Sequence, residues 1–282
     1  MPAYETPQPI ELDVDLSVGH IEVVAEDRAD TVADVVPSNP SRSGDRSLAQ
    51  SAVVEFDGTR LRIVVPRRMS LFGRTDSVDL RVLLPTGSAV DIRSAYGAVR
   101  LRGRVGRARV DAKYGTVQIE RTADLDLSAP YGEVDVREVD GRLDLEAGHS
   151  RTRIGSVAGE ARIRASHGSV ELGVTHGAVD ARLSGALTID TALADVTARS
   201  AHGALRIRSA SRGTIRLENG YAEVEVGVPD GTAAWLDASS EHGTVRNELT
   251  AGPGPDEAES TVELHLSTSW ADVVVRRAAA FA

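Results

Sequence analysis

The side chains best suited to do chemistry in this chain stand one position before a recurring corner. Three of them belong to the Tyr-Gly pairs at residues 96–97, 114–115 and 131–132. The whole set consists of aromatic rings and imidazoles, namely Tyr96, Tyr114, Tyr131, His149, His167, Tyr221, His242 and Trp270. Such a row could bind a sugar or a protein partner. It could equally be a structural stack in which each ring covers the next, worth about 0.5–1.5 kcal/mol per pair, and we favour this structural interpretation.

Catalytic and metal-binding signatures are missing from the sequence. There is no cysteine, no glycine-rich phosphate loop, no nucleophile elbow and no zinc-protease helix. A metal site needs three or four converging ligands, and no third ligand matches the positions of His149 and His167. Carboxylates such as Asp126 and Asp135 fall on every outer strand face, so a glycosidase pair could not be singled out. We therefore expect a protein that is not an enzyme and has no cofactor or metal.

The elements that position these side chains are repeated. Gly97, Gly115 and Gly132 are 18 and 17 residues apart, and apolar residues alternate with polar ones on both sides of each glycine. Alternation with a period of two indicates strands with one buried face. A fixed period of this length indicates a stacked array. The sequence therefore predicts an all-β fold, a single-chain β-solenoid with coils of about 18 residues, in which like residues lie one strand spacing, about 4.8 Å, apart.

The corner can be followed to the end of the chain. The aligned corner residues are Gly97, Gly115, Gly132, Ser150, Gly168, Ala194, Ala222, Gly243 and Ala271. The position three residues earlier is nearly always small, which indicates a narrow bend. The spacing widens on both sides of Ala194, and we interpret the segments that begin at His176 and His202 as extra half-coils. A left-handed hexapeptide helix and a β-sandwich are alternatives, but they account less well for the single corner and for the columns of like residues.

The first part of the chain is less regular. Residues 10–24 form an isolated first copy of the repeat, and Asp57-Gly58 predicts a hairpin between strands at 52–56 and 59–65. Residues 37–47, 66–75 and 252–259 are interpreted as loops. We expect residues 1–89 to supply N-terminal strands, the hairpin and a cap, because an open solenoid end exposes unpaired backbone groups. Residues 90–282 would form the regular coils, with capping strands at 261–277, in one continuous domain.

Charge and hydropathy restrict the partners. The net charge of −10 argues against nucleic acid, because the phosphate backbone would be repelled. The outward charges are mixed in sign, which predicts ion pairs between coils and no single-sign groove. The start has no signal-peptide pattern, and no apolar run reaches the roughly 18–20 residues of a membrane helix. We expect a cytoplasmic protein with no membrane span.

The strands around the repeated Tyr/His-Gly-x-Val corner resemble the bacterial DUF4097 family, also known as putative adhesins or "toastrack" β-strand-repeat proteins. The resemblance runs from about residue 10 to 276 and includes the segments at 16–23 and 82–85. It implies a β-solenoid of unassigned biochemical role, with proposed duties in surface interaction or in assembly of envelope signalling complexes. Our leading hypothesis is a non-catalytic scaffold for an unidentified protein partner. The alternatives are a self-associating, filament-forming protein and a carbohydrate-binding, adhesin-like module.

Overall fold

The computed structural model describes residues 3–67, 75–249 and 260–278. Its contacts divide the chain into two compact units, residues 1–141 and residues 142–282. The prediction of an all-β fold is confirmed, since one short helix interrupts the strands in the part of the chain that the structure describes. The predicted loop at 252–259 and most of the one at 66–75 lie outside the described residues. The division into a cap over 1–89 and coils over 90–282 stays a prediction.

The first unit contains nine strands and the helix. Their bounds are β1 Ala3–Glu5, β2 Glu11–Glu26, β3 Asp30–Pro37, α1 Ser43–Gln50, β4 Val53–Phe56, β5 Arg60–Val65, β6 Val78–Pro85, β7 Ala89–Val105, β8 Ala108–Thr122 and β9 Leu125–Val139.

Long parallel strands, which we term rungs, form the regular part of this unit. The strands β2, β7, β8 and β9 pair in parallel, with Gly19 beside Gly97, Gly97 beside Gly115, and Gly115 beside Gly132. The isolated repeat at residues 10–24 is therefore an ordinary rung. Val99, Val117 and Val134 are consecutive neighbours, as the period predicts, and each is at most 2% exposed. Alternate side chains of both halves of each rung are buried in this way and form the core.

Antiparallel strands cover the N-terminal edge of the unit. The strands β5 and β6 are each about half as long as a rung, and they pair in parallel with the two halves of β2. The strand β4 then pairs antiparallel with β5, which confirms the predicted hairpin. In the same way β3 pairs antiparallel with β6, and β1 with β3. These last strands are short, which limits the unpaired backbone left at the edge.

The helix α1 corrects the prediction of a loop at residues 37–47. An eight-residue helix is marginal by itself, but tertiary contacts hold this one. The carboxylate of Asp45 is fully buried, forms an ion pair with Arg42 and accepts hydrogen bonds from the backbone N–H groups of Asn39 and Ser77. Because Ser77 is distant in sequence, local composition could not have predicted this anchor.

The second unit consists of strands alone among its described residues. Their bounds are β10 Leu143–Val157, β11 Ala161–Ala165, β12 Ser169–Thr175, β13 Val179–Leu183, β14 Ala186–Ala192, β15 Val196–Ser200, β16 Leu205–Ala210, β17 Gly213–Asn219, β18 Val224–Val228, β19 Thr232–Ser240, β20 Val245–Asn247, β21 Ser260–Thr268 and β22 Val273–Arg277.

The register of the second unit shows that the corner assigned to Ala194 is wrong. The strand β14 pairs with β12 and then β16, placing Gly185 and Gly203 in line with Gly168. The repeat therefore continues without extra half-coils, and the segments beginning at His176 and His202 are parts of ordinary rungs. The two halves of a rung carry the same apolar alternation. The sequence pattern alone therefore could not distinguish the true corners at Gly185 and Gly203 from a corner half a coil away, at Ala194.

Each rung of the last part of the chain consists of two strands. The last two rungs in sequence are β19 with β20 and β21 with β22, and they are stacked in the reverse of their sequence order. The strand β21 lies between β17 and β19, and β22 lies between β18 and β20. The inward residues of β21 are Val262, Leu264 and Leu266, all at most 3% exposed. Those of β19 include two alanines at 234 and 238. The more apolar segment thus takes the position that is covered on both sides, where burial contributes more.

Candidate functional site

The first unit holds a row of three stacked phenol rings, Tyr96, Tyr114 and Tyr131, which we term the tyrosine row. Consecutive ring centroids are 4.9 Å apart and the planes differ by 5° and 6°. The parallel register places these residues side by side on β7, β8 and β9. The rings are 54%, 44% and 44% exposed, so they form an aromatic strip at the surface.

The other predicted corner residues lie in the second unit, where their stacking is interrupted. His149 stacks on His167 with centroids 4.9 Å apart, and His242 stacks on Trp270 at 4.0 Å. Tyr221 stacks at 5.1 Å on His202, a residue of a predicted extra half-coil and therefore not of the predicted corner set. Correct placement of the Gly203 corner would have included this histidine.

A serine, Ser184, takes the place of an aromatic residue in the column between His167 and His202. The backbone N–H of His202 donates to the carbonyl of Ser184, and Ser184 immediately precedes the true corner Gly185. Leu193, which precedes the mistaken corner, donates to Thr175 at the opposite end of the rung. Ser184 therefore separates the stacked pair His149 and His167 from His202. No group of three or more His, Cys, Asp or Glu side chains within the described ranges could hold a metal.

Glycine makes the corner beneath the tyrosine row possible. Gly97, Gly115 and Gly132 have φ values of 139°, 138° and 126°, which other residues rarely adopt. A Cβ at Gly115 would lie 1.7 Å from the carbonyl oxygen of Gly97. The rungs consequently approach closely at the corner, and the adjoining tyrosines are held at the spacing of the backbone.

The corners of the second unit from Gly203 onward use a different device. Side chains three positions before these corners donate to the corner carbonyl of the adjacent rung: Ser200 to Gly185 at 2.9 Å, Asn219 to Gly203 at 2.7 Å, Ser240 to Ala271 at 2.8 Å, and Thr268 to Ala222 at 3.1 Å. We term these side chains corner clamps. They give the corner carbonyls a hydrogen-bond partner. The residues of this column are therefore polar at these corners for a structural reason, whereas Ala147 and Ala165 occupy it at the first two corners of the unit.

We expect Asn219→Ala to lower the free energy of unfolding by about 2 kcal/mol, because the substitution removes several hydrogen bonds at a buried position. The Asn219 amide donates to Gly203 and its oxygen accepts from the N–H groups of Tyr221 and Ala222. Urea titration followed by circular dichroism measures the change. The exposed Asn247, which bonds only the Leu249 N–H among described residues, is the control, and Asn247→Ala should change stability by less than about 0.5 kcal/mol. Equal effects of the two substitutions would refute the corner clamp.

Charged side chains cover the outer faces of both units, and they pair between rungs as the mixed signs predict. Arg153 lies 3.1 Å from Glu171, and Arg199 lies 2.8 Å from Glu218. Pairs of this exposed kind contribute little stability each. They make these faces hydrated and of mixed charge, unlike the tyrosine row.

One acidic group joins a denser network at the edge of the first unit. The Asp140 carboxylate accepts hydrogen bonds from Arg121 and Arg104, each with an Nε–oxygen distance of 3.0 Å. The hydrogen bond from Arg121 is the main reason that the pKa of Asp140 lies below its usual value. Asp140 therefore stays ionised and paired, and it has no feature of a general acid.

The geometry of the tyrosine row decides what it can bind. The two faces of the Tyr114 ring are covered by Tyr96 and Tyr131. The interior of the row thus offers ring edges and a phenol hydroxyl to a partner, and no open face on which a flat sugar could stack. An apolar body with a polar tip is the combination that makes tyrosine frequent at protein interfaces.

Comparison with solved structures finds matches over nearly the whole chain, with low sequence identity and low TM-scores. A putative cell adhesion protein from Clostridium sporogenes is 10% identical, with 98% of each chain covered and a TM-score of 0.22. A putative adhesin from Parabacteroides distasonis is 10% identical over 97% of this chain and 95% of that one, with a TM-score of 0.36. A putative adhesin from Bacteroides fragilis is 8% identical over 98% and 95%, with a TM-score of 0.31. These values carry no argument about function.

Sequence comparison adds no relative. No protein-family model matches the chain, and no curated protein does. A search of the described residues for a helix long and apolar enough to span a bilayer finds none.

Proposed function

We propose that this protein is a non-catalytic scaffold that binds another protein through the tyrosine row. The observation that carries the proposal is the row itself: three parallel, stacked rings, each about half exposed, on a backbone that fixes their spacing. Because the rings are already ordered, a partner would bind them with little loss of side-chain entropy. The proposal includes membership in the DUF4097 family, supported by the repeated corner motif.

The remaining expectations about partners belong to the same proposal. A protein partner is favoured over nucleic acid because the chain carries a net charge of −10. The cytoplasmic location is likewise proposed from the sequence. Aromatic residues dominate the binding energy of many protein interfaces, whereas the outer faces consist of hydrated ion pairs that contribute little.

Site-specific photo-cross-linking tests this proposal. A photoreactive phenylalanine analogue would replace Tyr114, at the centre of the row, in the full-length protein expressed in its native cells. We expect a discrete cross-linked protein adduct that becomes at least about tenfold weaker when Tyr96 and Tyr131 are both replaced by alanine, since truncated aromatic anchors often account for 2 kcal/mol or more.

The matched control places the same analogue at Gln118, an exposed residue on the charged outer face of the same strand. This position should give no discrete adduct. Equal cross-linking from both positions, or no adduct from position 114, would contradict the proposal.

A further inference from the structure

A cavity of about 420 Å³ lies beside the tyrosine row in the first unit. Its floor is apolar and includes Leu16, Leu48 and Val65, each at most 5% exposed. This volume lies within the range of small-ligand sites, about 300–1,000 Å³. An apolar floor with a limited number of polar groups at the wall is the usual composition of such sites.

Tyr96 gives the cavity an aromatic wall. Tyr114 covers one face of the Tyr96 ring. On the opposite side the register neighbour of Tyr96 is Val18, and both residues line the cavity. The aromatic stack therefore ends at Val18, and the exposed Tyr96 ring and Val18 together form an apolar part of the cavity wall.

Two cationic side chains line the same cavity, Arg67 and Lys113. Lys113 is the only lysine in the sequence. Neither residue forms an ion pair with any other described residue, whereas eight of the fifteen described arginines of this unit do. The Nε of Arg67 donates a 3.3 Å hydrogen bond to the Ser17 hydroxyl. In a chain with a net charge of −10, two such cations at one cavity favour an anionic ligand.

Hydrogen-bonding groups complete the wall. The hydroxyls of Ser17 and Thr75 can donate or accept, and the carboxylate of Asp76 can accept. Asp76 lies 3.3 Å from the Nη2 of Arg42, an arginine that it shares with the buried Asp45. These groups suit a ring that carries several hydroxyls better than a bare aromatic acid.

We propose that this cavity binds an acidic sugar of the uronic acid type. A C–H face of the sugar ring would pack against Tyr96 and Val18 at the cavity wall, and its carboxylate would pair with Arg67 and Lys113. The ring hydroxyls would bond Ser17, Thr75 and Asp76. The inference does not rest on the proposed scaffold function, because it uses the cavity beside the terminal ring and a separate set of charged residues.

Calorimetric or NMR titration of the full-length protein with D-glucuronic acid tests the site. We expect a Kd of about 1 mM or tighter, as suits a ligand of this size. D-glucose, which lacks the carboxylate, and benzoate, which lacks the hydroxyls, should each bind at least about tenfold more weakly. Absence of glucuronate binding would overturn the proposal. Binding of glucose or benzoate as tight as that of glucuronate would overturn it too.

Three substitutions locate the site. Lys113→Met, Arg67→Met and Tyr96→Leu should each weaken glucuronate binding by at least about tenfold. The control Arg100→Met removes an exposed arginine that bonds Gln118 on the outer face and should leave glucuronate binding unchanged. If binding persisted in all three variants, the site would lie elsewhere. Cross-linking from position 114 should survive Lys113→Met, so failure of this inference is distinguishable from failure of the scaffold proposal.

Discussion

Gly115→Ala is expected to lower the free energy of unfolding by about 3–5 kcal/mol, one of the largest effects that a single methyl group can have. The backbone at Gly115 has φ 138°, where a Cβ costs about 1–2 kcal/mol. The added Cβ would also lie 1.7 Å from the Gly97 carbonyl oxygen. Relieving that overlap requires the two rungs to separate, and separation breaks the hydrogen bonds between β7 and β8.

The matched control for this prediction is Gly58→Ala in the hairpin between β4 and β5. Gly58 also has positive φ, 103°, but an added Cβ would meet no atom within 4 Å. We expect it to show only the conformational cost of about 1–2 kcal/mol. Urea unfolding followed by circular dichroism compares the two variants. If their stabilities fell by the same amount, close approach of the rungs would not be what requires glycine at the corner.

Leu264→Ala is expected to destabilise the second unit by about 3 kcal/mol, whereas Leu236→Ala should cost about 1 kcal/mol. The two leucines occupy the same column, since Leu264 pairs with both Ile215 and Leu236. Leu264 has 0% exposure because rungs cover it on both sides. Leu236 is only half-buried on the last rung, so its truncation leaves a smaller cavity.

This pair of substitutions tests the inverted order of the final rungs. If the rungs stacked in the order of the sequence, Leu236 would be the covered residue and its truncation would cost more. Thermal or urea unfolding of both variants gives the ranking. Hydrogen exchange provides a second measurement, because the amides of β19 should exchange faster than those of β21. A larger loss at Leu236 would contradict the structure.

Much of the predicted site followed from local pattern. The Tyr-Gly corners at 96, 114 and 131 stack because the rungs are paired in register, and equal spacing in the sequence was sufficient to predict that pairing. His202 was missed because its rung was taken for an insertion. The cavity beside Tyr96 could not be predicted either, since its walls come from β2, α1, β5, β7, β8 and the residues flanking β5 and β6, which are far apart in the chain.

The sequence by itself determined the all-β class, the inward and outward faces of each strand, and the corner of the first unit. Each of these depends on residues within one repeat, where alternation and glycine act locally. Only the tertiary structure decided the register after Gly168, the exchange of the last two rungs and the helix at Ser43–Gln50. In these cases segments of similar pattern compete for the same place, and the burial and hydrogen bonding that distant residues offer determine which segment occupies it.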